Sequence, residues 1–243
     1  MGRAHEVRAA SMAKTNLMKS KLYSKYGKLI YMEAKNGWDM DGNLRLRALV
    51  DKAKKDQVPA DVIKRNIEKA KGGSNESYLN CRYEAYGPSG STFIIECLTD
   101  NSNRTISSLK GAFSKTGLRL GTSGSVTYTY DYEGCFAFKG LSEDEAFEAV
   151  AEAGIDVIDV SSDEDVITIL SKPSDAQAVR DAILKENPDA EILTDEVGWY
   201  AKDEIELPEE DFDKVKRLFS LLDDNDDVTN TYNNISNLPD DEE

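Results

Sequence analysis

The sequence is poor in the residues that enzymes most often use for catalysis and metal binding. It contains one histidine, His5, and three cysteines, Cys81, Cys97 and Cys135, which form no CxxC pair. A transition-metal site needs clustered His or Cys ligands, and nucleophilic catalysis needs a nucleophile held beside a base. These few residues supply neither. We therefore expect no enzyme activity, no cofactor, no metal and no small-molecule substrate.

The sequence also lacks long apolar runs and a cysteine pattern suited to disulfides. An odd number of cysteines does not fit a disulfide framework, and no stretch approaches the roughly 18 apolar residues of a membrane span. Residues 1–16 carry positive charge without the apolar core of a secretory signal. Apolar residues make up 40% and charged residues 31% of the chain, as in folded proteins. We expect a cytoplasmic protein that does not associate with membranes.

The glycine-rich segment 117–125, GLRLGTSGS, matches no nucleotide-binding motif. It lacks the GxxxxGK[ST] pattern, and no glycine-rich turn leads from a strand into a helix as a dinucleotide site requires. We interpret the segment as a tight connection. The alternative is that its backbone N–H groups hold a phosphate, with Arg119 as the accompanying cation.

Charge is divided unevenly along the chain, whose formal net charge is −16. Residues 1–80 hold 17 Lys and Arg against 9 Asp and Glu, whereas residues 81–243 hold 13 against 37. A basic part within an acidic chain indicates that this part contacts a polyanion. The alternative is that both sets of charges only face solvent.

The basic part has the apolar spacing of three helices. The first covers residues 14–36, the second begins at Asn43 as its N-cap, and the third begins at Pro59 and ends at the glycines 72–73. In the first helix, lysines lie off the apolar face and predict a positive stripe along one flank: Lys14, Lys21, Lys25 and Lys28. Four aromatic residues are interleaved with these charges: Tyr23, Tyr26, Tyr31 and Trp38. Each either packs in the core, which we favour for Tyr26, or stacks on an unpaired base.

The remainder has the pattern of α+β domains. Two strands flank a turn at 87–90, followed by a helix over 102–116 and an alternating strand over 125–132. Residues 134–196 then give the order βαββαβ of a ferredoxin-like domain, and a helix and a strand follow after 205. The predicted fold class is α+β, with a helical N-terminal domain and two ferredoxin-like α+β domains, the third inserted into the second. The domains are 1–78, 79–132 plus 205–243, and the inserted 133–204.

Several short motifs resemble those of one known family. They are KAKGG at 69–73, RYEAYGPSGS at 82–91, TDNSNRT at 99–105, GTSGSV at 121–126, DVIDV at 156–160 and DVTNTYNN at 227–234. Together they resemble the YebC/PmpR family of probable transcriptional regulators, and most of all its YeeN-like branch. That family includes the mitochondrial translational activator of cytochrome oxidase subunit I. The resemblance covers nearly the whole chain.

The resemblance implies a helical first domain followed by two α+β domains, and a cytoplasmic, DNA-binding protein. It also implies, from other members, a ribosome-associated translation factor, so that DNA and messenger or ribosomal RNA both remain open as partners, as does the oligomeric state. We expect a non-enzymatic regulator of gene expression that binds nucleic acid. The expected contacts are Lys14, Lys19, Lys21, Lys25, Lys28, Arg45, Arg47, Lys54, Lys55, Lys64 and Arg65, with Arg104 and Arg119. The alternative is a protein-interaction adaptor whose acidic domains bind a basic partner.

Overall fold

The computed structural model describes residues 19–73 and 77–238, the first three of them by their backbone only. Its helices are α1 (Lys19–Lys35), α2 (Leu44–Lys55), α3 (Ala60–Lys71), α4 (Ser102–Lys115), α5 (Glu143–Glu152), α6 (Ala176–Glu186) and α7 (Glu209–Asp223). Its strands are β1 (Leu79–Tyr86), β2 (Thr92–Thr99), β3 (Arg119–Leu120), β4 (Tyr130–Lys139), β5 (Val157–Asp163), β6 (Val166–Ser171), β7 (Glu191–Ala201) and β8 (Val228–Asn233). The predicted α+β class with a helical beginning is confirmed.

Helices α1, α2 and α3 pack around one apolar core. Each helix contributes apolar residues at helical spacing, and the buried set is Tyr26, Ile30, Ala34, Leu46, Val50, Ala53, Val58 and Ile63. As predicted, Asn43 caps α2, because its side-chain oxygen accepts a hydrogen bond from the N–H of Leu46 at 3.0 Å. Pro59 is the N-cap of α3, one residue before the helix begins. The polar faces of α2 and α3 are left to solvent.

The first sheet has the strand order β3-β1-β2-β8. Strands β1 and β2 form an antiparallel hairpin in which Leu79 pairs with Thr99 and Tyr86 with Thr92. The predicted turn joins them, and its residues Ser89 and Gly90 have φ values of 53° and 85°, a conformation that Gly adopts at low cost. Helices α4 and α7 belong to the same part of the molecule as this sheet. Phe219 of α7 packs edge-on against Phe93 of β2, with ring centroids 5.9 Å apart.

The strand predicted over 125–132 is wrong for residues 125–129, and only residues 130–132 lie in a strand, as the beginning of β4. Residues Thr127–Thr129 form a short 3₁₀ turn, Tyr128 is 72% exposed, and the strand that follows starts only at Tyr130. The edge strand of the first sheet is instead the two-residue β3, which pairs with the end of β1. The alternation of Val126, Tyr128 and Tyr130 with polar residues is a sequence pattern typical of a strand. However, Glu84 draws the preceding loop inward by accepting the N–H of Val126 at 2.5 Å.

The second sheet has the strand order β5-β6-β4-β7, and its neighbouring strands are antiparallel. With α5 and α6 between its strands in the order βαββαβ, it is the predicted ferredoxin-like unit. Its core holds Phe136, Phe138, Val150, Ile169 and Ile183. A capping box opens α5: the N–H of Glu145 donates to the Ser142 hydroxyl, and the Ser142 N–H donates to the Glu145 carboxylate.

The described residues form two compact units. One holds residues 127–207 and 232–238, with the second sheet, and the other holds residues 19–126 and 208–231, with the helices α1 to α3 and most of the first sheet. The predicted division into three domains at 78, 132 and 204 stays a prediction. No helix within the described ranges 19–73 and 77–238 is long and apolar enough to cross a membrane.

Candidate nucleic-acid interface

The exposed faces of α2 and α3 carry a dense set of cations. Between Leu44 and Lys71 the sequence holds nine Lys and Arg against four Asp and Glu. Six of the predicted contact residues lie on exposed positions here and are named the α2–α3 basic surface: Arg45, Arg47, Lys54, Lys55, Lys64 and Arg65. Because buried apolar residues fix the inner side of each helix, these side chains extend into solvent.

Two members of the α2–α3 basic surface form ion pairs that leave them accessible. The guanidinium of Arg47 lies 2.7 Å from the carboxylate of Asp41, and the ammonium of Lys54 lies 3.4 Å from that of Asp51. All four side chains are more than half exposed. Pairs of this kind contribute about 0–1 kcal/mol and are screened by salt, so they are easily exchanged for a phosphate.

Lys28 has a different environment, and the expectation that it faces outward in a positive stripe is wrong. Its ammonium donates hydrogen bonds to the carbonyl oxygens of Leu98 (2.9 Å) and Asp226 (2.7 Å) and to the carboxylate of Asp227 (3.3 Å). The Lys28 side chain is only 14% exposed. One turn earlier, the ammonium of Lys25 donates to the side chain of Asn230 at 3.0 Å. These lysines join α1 to the strand end and loop near residue 227.

Arg104 meets the same carboxylate from α4. Its guanidinium lies 3.0 and 3.1 Å from the two Asp227 oxygens and 2.7 Å from Asp100, and the Thr105 hydroxyl donates to Asp227 at 2.9 Å. We call Lys28, Arg104, Thr105 and Asp227 the Asp227 network. Burial alone would raise the pKa of Asp227. The hydrogen bonds from Arg104 and Thr105 and the charge of Lys28 outweigh burial and hold this pKa below its ordinary value.

A polar cleft adjoins the Asp227 network. Its lining mixes both signs of charge, with Lys28, Arg104 and Lys115 opposite Asp100, Asp224 and Asp226. A phosphate in this cleft meets nearby carboxylates as well as cations, and Lys28 and Arg104 already bond carboxylate or carbonyl oxygens. The cleft is therefore a poor phosphate site, and Arg104 is a weaker candidate contact than the cations of α2 and α3.

The glycine-rich loop holds an anion that belongs to the protein itself. Glu84 is only 3% exposed, and its carboxylate accepts hydrogen bonds from the N–H groups of Gly124 (2.7 Å) and Val126 (2.5 Å). The backbone carbonyl of Glu84 accepts a hydrogen bond from the N–H of Gly121 (2.7 Å). The N–H groups that were candidates for a phosphate are thus already bonded, which supports the interpretation of this loop as a connection. Arg119 is exposed, with its guanidinium 5.5 Å from the ring centroid of Tyr86.

The interleaved aromatic residues separate into buried and exposed members. Tyr26 and Tyr31 are 5% and 1% exposed and belong to the packed interior, as favoured for Tyr26. Tyr23 is half-buried against the helical core. Trp38, in the loop between α1 and α2, is 51% exposed, and the ammonium of Lys71 lies 4.3 Å from the centroid of its ring. Of the four, Trp38 has the largest surface open to a ligand.

Three of the predicted contacts fall outside what the structure describes in full. Lys14 lies outside the described residues, and Lys19 and Lys21 are described by their backbone in α1 only. Sequence reasoning also missed Asp227, the residue that engages Lys28 and Arg104. Two signals could have found it: Asp227 opens the motif DVTNTYNN at 227–234, and it stands immediately before the strand Val228–Asn233. Its residue type alone does not distinguish it from Asp223, Asp224 and Asp226.

Comparisons with known proteins match one family over nearly the whole chain. Residues 3–73 match the family model described as the TACO1/YebC protein N-terminal domain, and residues 78–235 match that of the TACO1/YebC second and third domain. A probable transcriptional regulatory protein from Alteromonas mediterranea is 44% identical over 96% of this chain and 98% of its own. One from Vibrio vulnificus is 46% identical over 96% and 99%. A crystal structure of a conserved hypothetical protein from Aquifex aeolicus superposes with a TM-score of 0.72 at 30% identity, covering 92% and 93% of the two chains.

Proposed function

The chain belongs to the TACO1/YebC family, and on that premise we propose that it is a non-enzymatic regulator of gene expression that binds nucleic acid through the α2–α3 basic surface. The observation that carries this proposal is the exposure of six cations on two consecutive helices, in a chain whose net charge is −16. An acidic protein is repelled by nucleic acid over most of its surface. A local cationic face is therefore needed for contact.

The binding mode that these residues support is contact with the phosphate backbone. Lys and Arg side chains neutralise phosphates and release condensed counterions, which gives affinity without a choice of base sequence. The names of the relatives as probable transcriptional regulatory proteins favour DNA and the level of transcription. Messenger or ribosomal RNA presents the same phosphates, so action on translation at the ribosome is the second form of the proposal. Arg119 is a peripheral member of the proposed contact set. Lys19 and Lys21, at the start of α1, extend this set together with Lys14, which lies outside the described residues.

The proposal is tested by reversing charges on α2 and α3. The variant carries Arg45→Glu, Arg47→Glu, Lys64→Glu and Arg65→Glu, and binding to a duplex and to a single strand is measured by fluorescence anisotropy at several salt concentrations. If about six phosphates are contacted, raising salt from roughly 50 to 200 mM weakens wild-type binding about a thousandfold. The variant loses at least about a hundredfold in affinity at low salt, and its salt dependence becomes shallower.

The matched control carries four reversals at exposed cations elsewhere: Lys110→Glu, Lys115→Glu, Lys185→Glu and Arg217→Glu. It changes the net charge by the same amount as the test variant, so it separates a specific surface from general repulsion. The proposal fails if the control loses as much affinity as the test variant, or if salt does not affect binding.

A protein-interaction adaptor is the second candidate function, favoured by the surplus of acidic residues over residues 81–243, where 37 Asp and Glu oppose 13 Lys and Arg. In that case a basic protein partner binds the acidic part, and the α2–α3 basic surface only faces solvent. Partners captured with the full chain from a lysate discriminate between the two. Partners that nuclease treatment removes support nucleic-acid binding, and partners that persist support the adaptor.

A further inference from the structure

Trp38 is a large aromatic side chain that packing does not explain. It lies in the loop between α1 and α2, is 51% exposed, and is accompanied by Met40 at 40% and Leu44 at 73% exposure. The ammonium of Lys71, from the last turn of α3, lies 4.3 Å from the centroid of the Trp38 ring. A cation at this distance interacts favourably with an indole face. Lys71 thus lies over the ring, and Trp38 nevertheless keeps about half of its surface exposed and open to a ligand.

The loop that carries Trp38 is held in place before any ligand arrives. The side-chain amide of Asn43 donates hydrogen bonds to the carbonyl oxygens of Glu33 (3.0 Å) and Gly37 (2.8 Å), and its oxygen accepts from Leu46 N–H at 3.0 Å. One side chain therefore ties the end of α1, the residue before Trp38 and the first turn of α2 together. A platform fixed in this way loses little conformational freedom on binding.

The charges around Trp38 favour a polyanion that also presents a flat ring. Arg45 follows the loop on the exposed side of α2, and Lys71 carries positive charge to the ring itself. Asp39 and Asp41 are also exposed, and Asp41 is paired with Arg47 at 2.7 Å. These carboxylates disfavour a phosphate directly beside them but do not oppose a neutral base over the indole. A strand with a base on the indole is expected to bring its phosphates near the exposed cations of α2 and α3.

We propose that Trp38 is a stacking site for an unpaired nucleobase, and that the ligand of this surface is a single strand or an unpaired region. The inference rests on the proposed function and narrows it to nucleic acid with accessible bases. A duplex keeps both faces of its bases stacked inside the helix, so it cannot occupy the site without unpairing. Base stacking on an aromatic side chain tolerates any base, because every base has a π-face.

The experiment uses the full chain with three probes of about 16 nucleotides, the upper range of sites for single-strand binding domains. They are a base-bearing single strand, an abasic strand with the same number of phosphates, and a duplex. RNA and DNA forms of the single strand distinguish the two sources of unpaired bases. Affinities are measured for wild type, Trp38→Ala and Trp38→Phe. The conservative Phe variant retains a ring, and Trp38 is half-exposed, so both variants are expected to fold.

We expect Trp38→Ala to weaken binding of the base-bearing strand roughly tenfold to a hundredfold, with little effect on the abasic strand or the duplex. Trp38→Phe recovers most of the loss. The chain has two tryptophans, so Trp199→Phe leaves Trp38 as its single indole reporter. In that protein the base-bearing strand quenches fluorescence, and the abasic strand does so far less.

The outcomes separate the two proposals. If Trp38→Ala leaves the base-bearing strand unaffected while reversal of the α2–α3 cations abolishes binding, stacking is overturned and nucleic-acid binding stands. Equal affinity of the wild type for base-bearing and abasic strands also overturns stacking. If none of the three probes binds the wild type, both proposals fail.

Discussion

The exposed cations of α2 and α3 differ in their partners from Lys28 of α1 and Arg104 of α4. Arg45, Lys55 and Lys64 extend into solvent, whereas Lys28 and Arg104 share the carboxylate of Asp227. The first group is available to an external polyanion. The second is already bonded to an anion of the protein and joins α1, α4 and the loop before β8. The number of positive charges in a sequence segment therefore does not by itself give the number of cations available to a ligand. Carboxylates that are distant in the sequence determine which cations remain available.

The largest effect is expected when the internal anion is removed. Asp227→Ala leaves the half-buried Lys28 without its carboxylate partner, and breaking a buried ion pair in this way costs about 3 kcal/mol of unfolding free energy. Urea unfolding followed by circular dichroism measures the loss. Asp226→Ala is the control, since only the backbone carbonyl of Asp226 contacts Lys28 and its side chain is exposed. A change below about 0.5 kcal/mol is expected there. Equal losses in the two variants would contradict a structural role for the Asp227 carboxylate.

Two lysine substitutions sharpen the comparison when both the stability and the nucleic-acid binding of each variant are measured. Lys28→Met should cost about 1–2 kcal/mol of stability, because Asp227 and two carbonyl oxygens lose a buried donor. Lys55→Met should cost less than about 0.5 kcal/mol, as is usual for an exposed side chain. For nucleic-acid binding the order reverses: Lys55→Met lowers the salt slope by about one, and Lys28→Met leaves it unchanged. The distinction between the two groups collapses if both substitutions have the same effect on both measurements.

The smallest effect is confined to acid pH. The pKa of Asp227 lies below its ordinary value of 3.8 in the folded protein. Its contribution to stability is therefore complete above about pH 3.8 and is lost as pH falls through the lower, folded value. The stability difference between wild type and Asp227→Asn should hold from neutral pH down to that range and narrow below it. Asp51→Asn, which removes a solvated pair with Lys54, should leave the acid unfolding curve in place.

Local patterns in the sequence predicted most of the elements. Asn43 and the turn at 87–90 are signals that act within a few residues, and the structure has the expected cap and hairpin at both. The first part of the strand predicted over 125–132 failed because the carboxylate of Glu84, about 40 residues earlier in the chain, accepts hydrogen bonds from the N–H groups of Gly124 and Val126. Alternation of side chains describes a strand only when no distant group competes for its backbone.

The candidate site shows the same limit. The exposure of Arg45, Lys55, Lys64 and Arg65 could be predicted from helical periodicity, because the apolar face of each helix fixes which residues point outward. The engagement of Lys28 did not, because its partner Asp227 lies 199 positions away in the sequence. Nor did the neighbourhood of Trp38 and Lys71, which depends on how α3 packs against α1. Pairings between separate elements are properties of the tertiary fold.

The 199-residue separation of Lys28 and Asp227 has a consequence for biosynthesis. During translation the helices α1 to α3 and the hairpin of β1 and β2 emerge long before the loop that carries Asp227, and domains generally fold as they emerge. Throughout that interval Lys28 and Arg104 have no carboxylate from residue 227, and β2 has no β8 beside it. The nascent chain is consequently more cationic on this side and has an open sheet edge, and both conditions end only when residues 227–233 have left the ribosome.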